Sequence, residues 1–162
     1  MRRCEERDRG AAAVEFALVV PVLVLLVFGI IDYGLFLSDN LAVKQGIREG
    51  AREAVVSDRT ACGGGDLDCL AELTKERIGA VGGVTEVRVE TVQVDPDPGQ
   101  DGWWEGNELL VCAVVSEDGL TGFTPMPDLI VDSVRMRIEH DTLSGTSGET
   151  GTLPGEDWDW CA

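Results

Sequence analysis

The chain has 162 residues, and its 30 acidic side chains against 13 basic ones give a formal net charge of −17 at pH 7. Such a charge repels the phosphates of nucleic acids, which argues against a DNA- or RNA-binding protein. The sequence also lacks the GxSxG and HExxH patterns and a glycine-rich phosphate loop before a helix, so we expect neither catalysis, nor a cofactor, nor a small-molecule substrate.

The first element is an uncharged apolar run over residues 16–31, FALVVPVLVLLVFGII. With its apolar flanks it predicts a transmembrane helix over about residues 13–37, long enough to cross a hydrocarbon core of about 30 Å. The leader before it carries four arginines, which by the positive-inside rule keep it in the cytoplasm. A cleaved signal peptide is the alternative, but no small-x-small site ends the run. We therefore expect a single-pass protein of the cytoplasmic membrane with its C-terminal domain outside.

Two residues of the predicted transmembrane span are unusual for a membrane helix. Glu15 places a carboxylate at the start of the span. Inserting an acid into lipid costs roughly 2.5–3.5 kcal/mol when the acid lies at the centre of a membrane helix. The presence of Glu15 indicates a specific partner for the charge. Pro21 lacks an N–H and predicts a kink, although membrane helices also tolerate prolines without any functional role.

The helix is predicted to continue beyond the membrane, so that one helix covers residues 11–57. Val43, Ile47, Ala51 and Ala54 recur at spacings of four, four and three, which is one face of a helix. Gly46 and Gly50 weaken this helix but allow another helix to approach it closely.

The region 58–142 predicts an extracytoplasmic α+β domain. Residues 70–80 have the pattern of a short second helix, and residues 84–94, 109–116 and 130–141 have the patterns of three strands. The fold class expected is therefore α+β, with a long N-terminal transmembrane helix, a short second helix and a small three-stranded antiparallel sheet. Trp103-Trp104 is either core filling, which we favour, or an exposed docking point. Residues 143–162 are rich in Gly, Ser and Thr and predict a flexible tail held by Cys161.

Cysteine usage agrees with export, since four of the five cysteines lie beyond the span, an even number that suits an oxidising compartment. Of the three pairings that four cysteines allow, we favour Cys62 with Cys69, which closes a glycine-rich loop, and Cys112 with Cys161, which ties the tail to a strand. A metal site is not expected, because CxxC spacing is absent and the single histidine, His140, is distant in the sequence.

Three stretches resemble the TadE-like family of minor pseudopilins from the tight-adherence (Flp) type IV pilus system. They are RGAAAVEFALVVPVLVLLVFGIIDYG at residues 9–34, AREA at 51–54, and DSVRMRIE at 132–139. The resemblance implies a pilin-like fold and cleavage between Gly10 and Ala11 by a prepilin peptidase, which removes residues 1–10 as a cytoplasmic leader. Glu15 then becomes the fifth residue of the mature chain, where the family's glutamate meets the free N-terminus of a neighbouring subunit. Phe16, in place of a tyrosine, favours the minor class over the major pilin.

The resemblance therefore implies a structural assembly subunit of a pilus. Its partners are expected to be the membrane, the prepilin peptidase, and other pilins or pseudopilins with their assembly machinery. The alternative function is a single-pass membrane-anchored binding domain unrelated to pili, in which Gly10 and Glu15 have no role in processing or assembly.

Overall fold

The computed structural model describes residues 2–56, 66–79, 85–94, 102–116, 127–140, 143–151 and 157–161, with side chains from residue 10 onward. Its first helix, α1, spans Arg2–Val56. It begins nine residues before the start that the apolar pattern predicts, because the leader is rich in arginine and glutamate, which are good helix formers. The chain divides into two compact units, and the boundary lies within α1, between Leu37 and Ser38.

The second helix, α2, spans Leu67–Ile78. Asp66 caps its N-terminus by accepting a hydrogen bond of 3.3 Å from the backbone N–H of Cys69. Gly79 ends it with φ of 55°, a left-handed conformation that glycine adopts without steric cost. The cap explains why α2 starts three residues earlier than predicted.

The buried face of α2 includes a polar residue. Leu70, Ala71, Thr74 and Ile78 are buried, whereas Arg77 is exposed. Thr74 satisfies its hydroxyl locally by donating a hydrogen bond of 2.8 Å to the carbonyl oxygen of Leu70. A threonine can therefore lie in the core without an unpaired polar atom.

The sheet has four antiparallel strands among the described residues, and the prediction of three is wrong. The strands are β1 (Thr85–Val92), β2 (Glu108–Ser116), β3 (Leu129–Arg137) and β4 (Ser147–Glu149), in the spatial order β3-β2-β1-β4. Strand β4 comes from the segment that composition assigns to a flexible tail. Its residues Ser147, Gly148 and Glu149 carry no hydrophobic alternation, so no sequence pattern marks them as a strand.

Contacts with α2 hold β4 in place. Gly148 is buried against the N-terminus of α2, where a Cβ would overlap the carbonyl carbon of Leu67. The backbone N–H of Glu149 donates a hydrogen bond of 3.0 Å to Asp68 Oδ1. Only glycine permits this approach, and the short strand thereby completes the edge of the sheet beside β1.

The central strand β2 is buried on both faces. On one face, Ala113 and Val111 of β2 lie opposite Val87 and Val89 of β1, and all four residues are fully buried. Helix α2 contacts β1 and β4, so this face forms the main core. On the opposite face Leu110, Cys112 and Val114 are covered by the C-terminal residues Trp158 and Cys161.

Close packing of the second half of α1 on α2 depends on two glycines. A Cβ added to Gly46 would lie 2.6 Å from the Ile78 Cα, and one added to Gly50 would lie 2.6 Å from Thr74 Oγ1. Val43, Ile47, Ala51 and Ala54 are buried, as their spacing predicts. The helix that packs closely against these two glycines is therefore α2 of the same chain.

Candidate functional site

The first half of α1 exposes most of its apolar side chains. Sixteen of its large apolar residues are 40–71% exposed, whereas Val20 and Phe36 are partly buried. The described charges from residue 10 to 37 are Glu15 and Asp32 alone. A helix that is apolar all round must lie in lipid or in a protein interior. By length and composition α1 is apolar enough to cross a membrane, with a mean hydropathy of 2.8 over its best 18-residue window. The residues concerned are Val14, Phe16, Leu18, Val19, Val22, Leu23, Val24, Leu25, Leu26, Val27, Phe28, Ile30, Ile31, Tyr33, Leu35 and Leu37.

The predicted processing site, Gly10 and Ala11, lies inside the same helix. Both residues are exposed, and a Cβ on Gly10 would meet no atom within 4 Å. Proteases bind extended chains, so cleavage requires this turn to unwind. Glycine lowers the cost of unwinding by about 1 kcal/mol relative to alanine. The site is therefore sterically open, and its sequence favours local opening.

The predicted assembly residues follow one turn later. Ala11 and Glu15 are four residues apart in an unbroken helix, so they share one face and are separated by about 6 Å along the axis. Glu15 is exposed, and Phe16 beside it is 70% exposed. Within the residues whose side chains are described, Glu15 makes no ion pair or hydrogen bond. The carboxylate and the neighbouring ring are thus available to a partner outside this chain.

The two acids of the span differ sharply in their surroundings. Asp32 is 1% exposed, whereas Glu15 projects from the apolar surface of the helix. A buried carboxylate has its environment supplied by its own chain, but an exposed one in lipid needs a cation from elsewhere. This contrast singles out Glu15 as the acid for which a second molecule could provide the counter-charge.

Pro21 is part of α1, which continues through it. Because proline has no N–H, the carbonyl of Ala17 lacks its usual intrahelical partner. The kink proposed at this position stays a prediction.

The compact unit that begins at Ser38 is called the outer unit because it follows the apolar span in the sequence. Its disulfide bonding involves three described cysteines. Cys112 on β2 and Cys161 near the C-terminus are joined, with their Cα atoms 6.0 Å apart, which is the pairing that the sequence favours. Cys69 is also disulfide-bonded, and its predicted partner Cys62 lies outside the described residues. The Cys112–Cys161 bond holds Trp158 against the outer face of β2, where Trp158 and Trp160 lie with ring centroids 5.7 Å apart.

This aromatic cover over β2 was not predicted from the sequence. Its only signal is the alternation of tryptophan and aspartate at residues 157–160, directly before Cys161. The two adjacent tryptophans differ in burial, since Trp103 is 5% exposed and Trp104 is 42% exposed. The preference for core filling holds for the first ring and not for the second.

Charged side chains in the outer unit form a few ion pairs across its elements. Arg77 of α2 contacts Glu53 of α1 at 3.1 Å, and Lys75 contacts Glu86 of β1 at 3.4 Å. On α1 the guanidinium of Arg52 donates hydrogen bonds to Glu49 and lowers the pKa of that carboxyl below 4.5. Among the described residues no group of three or more His, Cys, Asp or Glu side chains could hold a metal ion.

A comparison with protein families finds a match in the N-terminal part of the chain. Residues 10–52 match the model of the TadE-like protein family, which confirms the family resemblance predicted from the sequence. The match begins at Gly10 and includes Glu15, the apolar span and the helical face with Gly46 and Gly50. No curated protein and no solved structure matches the chain.

Proposed function

We propose that this chain, a TadE-like protein over residues 10–52, is a minor pseudopilin that a prepilin peptidase processes and that helps to assemble a tight-adherence pilus. The observation that carries the proposal is the position of Glu15. It is an exposed carboxylate on an apolar helix, five residues after the glycine at which the family match begins. An ordinary membrane anchor has no need for an acid at that place.

The chemistry of processing explains why the glycine and the acid belong together. Hydrolysis of the Gly10–Ala11 peptide bond would release the arginine-rich leader and leave an α-ammonium group on Ala11. This cation would lie at the end of the apolar helix, on the same face as Glu15 and about one turn away. Processing would thus create a positive charge about one helical turn from the carboxylate.

Assembly would then pair charges between subunits. As the apolar helices pack side by side, Glu15 of one subunit would meet the α-ammonium of its neighbour in a medium of low dielectric constant. Breaking such a buried pair by removing one partner costs about 3–5 kcal/mol. The pair would therefore select one axial register out of the many that a featureless apolar helix allows.

The orientation of the protein follows from charge and from redox chemistry. The leader has four arginines, which favour the cytoplasmic side of the membrane. The outer unit contains the Cys112–Cys161 disulfide, which requires an oxidising compartment. Both features support a cytoplasmic leader and an extracytoplasmic α+β unit.

The intact mass of the protein purified from its native host tests the proposal. Loss of residues 1–10, with Ala11 as the new N-terminus, is the expected result. The competing function is a membrane-anchored binding domain unrelated to pili, which is expected to keep its leader or to be cut beyond residue 31. Either of those masses would overturn the pseudopilin assignment.

A further inference from the structure

A short loop beside the sheet, residues 102–107, has a rigidly defined backbone. Gly102 and Gly106 have φ of 91° and 100°, which only glycine adopts without strain. Within the loop the Asn107 side chain donates a hydrogen bond of 3.0 Å to the carbonyl of Gly102, and the Asn107 N–H donates one of 3.1 Å to that of Trp104. The loop therefore has one well-determined conformation.

The same loop is fastened to the segment that follows β3. The Gly106 N–H donates to the Ile138 carbonyl at 2.9 Å, and the Ile138 N–H donates to the Asn107 carbonyl at 2.8 Å. The buried indole of Trp103 donates from Nε1 to the His140 carbonyl at 2.7 Å. Loop and strand end thus form one rigid platform.

The platform presents Trp104 to solvent. Its side chain is 42% exposed although its neighbour Trp103 is almost fully buried. More than half of the indole is buried, and the part of its face that stays open can stack on the apolar face of a ligand. Trp104 lines an open cleft of about 660 Å³, a volume within the range of small-ligand sites.

The other lining groups define what the cleft could bind. Arg137 can only donate hydrogen bonds, Glu105 and Glu139 can only accept them when ionised, and His140 can do either. An anionic ligand would be opposed by the net charge of −17. A cation would be attracted by the two carboxylates and repelled by Arg137, so the charges lining the cleft are mixed rather than of one sign. A neutral ligand with many hydroxyl groups uses donors and acceptors together.

We propose that the cleft around Trp104 is a saccharide-binding site. One face of a pyranose ring, formed by C–H groups, would stack on the Trp104 indole. The hydroxyls at the ring edge would accept hydrogen bonds from Arg137 and donate them to Glu139. Hexoses with equatorial hydroxyls present the flattest apolar face, so oligomers of β-linked glucose or N-acetylglucosamine are the preferred class.

Titration of the full-length protein in lipid nanodiscs with cellohexaose and with chitohexaose tests this site. Nanodiscs avoid sugar-headed detergents, which would compete for the cleft. We expect saturable binding of at least one oligosaccharide, seen by calorimetry and by a change in tryptophan fluorescence. Trp104→Ala should weaken it about tenfold or more, while Trp104→Phe, which keeps an aromatic face, should lose less.

A matched control removes a different tryptophan. Trp160→Phe changes a half-buried ring that packs against the cluster around Cys112 and Cys161 and does not line the cleft, so it should leave binding unchanged. A second variant, Glu139→Gln, removes a charged acceptor without touching the indole and should also weaken binding. Absence of binding by both oligosaccharides at millimolar concentration would overturn the site. So would equal binding by the wild type and a folded Trp104→Ala protein.

Discussion

Gly50 on α1 and Thr74 on α2 are packed so closely that a methyl group on Gly50 would lie 2.6 Å from Thr74 Oγ1. One turn earlier, Gly46 has the same relationship with the backbone of Ile78. The two glycines, four residues apart, thus leave a flat surface on α1 against which α2 packs. This contact joins the helix of the family match to the α+β unit that follows it.

Gly46→Ala is predicted to destabilise the outer unit. Alanine improves helix propensity by about 1 kcal/mol, but its Cβ would lie 2.6 Å from the Ile78 Cα, and a backbone atom cannot move away by changing rotamer. Overpacking of this kind costs about 1–3 kcal/mol, so we expect lower stability in urea unfolding followed by tryptophan fluorescence.

Two variants control for helix propensity and for side-chain clash. Gly34→Ala, where a Cβ meets no atom within 4 Å, should not lower stability. Gly50→Ala should destabilise, and Thr74→Ala should largely rescue it, because the Gly50 clash is with a side chain. Additive effects of the Gly50 and Thr74 substitutions would contradict the observed contact.

Glu15→Ala is predicted to leave processing intact and to impair pilus assembly. Removal of the carboxylate leaves the α-ammonium of a neighbouring subunit without a partner in the helix bundle, at a cost of about 3–5 kcal/mol per subunit. Electron microscopy of sheared pili and an intact-mass measurement check the two halves of this prediction. Glu49→Ala, which removes an exposed carboxylate of the same helix in the outer unit, is the matched control and should not affect piliation. Normal piliation by Glu15→Ala would count against the charge pair.

Gly10→Val is predicted to block cleavage. A β-branched side chain at residue 10 crowds the backbone to which the protease must bind. The folded helix itself has room for this side chain. The purified variant should therefore retain its leader, as a mass increase over the processed wild type. Recovery of a chain that begins at Ala11 would show that Gly10 does not determine processing.

The Cys112–Cys161 disulfide is predicted to be a major source of stability. It closes a loop with a sequence separation of 49, and the chain-entropy model gives about 4 kcal/mol for a loop of that length. The double Cys→Ala variant at these positions should lose about that much in urea unfolding, together with the aromatic cover over β2. Non-reducing peptide mapping of the wild type should recover the Cys112–Cys161 peptide; a Cys62–Cys112 peptide would contradict the structure.

The Glu49 carboxyl is predicted to titrate below 4.5, because Arg52 donates hydrogen bonds to it and favours its charged form. A pKa that is lower in the folded state contributes stability above the unfolded value, and that contribution is lost as the pH falls through the folded value. Both side chains are more than half exposed, so the effect of the pair on stability is small. Carbon NMR of the Glu49 carboxyl should show its pKa rising toward 4.5 in Arg52→Gln and staying unchanged in Arg48→Gln.

The sequence predicts some elements well because their signals are local. The apolar span, the continuation of α1 to Val56 and the cores of strands β1 to β3 follow from hydrophobic period and from the positions of prolines and glycines. The position of Glu15 after Gly10, and the similarity of residues 10–52 to the TadE-like family model, can likewise be read without a structure. Each of these features depends on residues that are close together in the chain.

Other features were decided only by tertiary contacts. Strand β4 forms because Gly148 fits against α2, which no pattern in Ser147–Glu149 reveals. Only the folded chain separates buried Trp103 from exposed Trp104, through a hydrogen bond to a residue 37 positions away. Hydrophobic period reports which face of an element is apolar, but it carries no information on which distant element will cover that face. The choice is made by shape and hydrogen bonding between segments that meet only after folding.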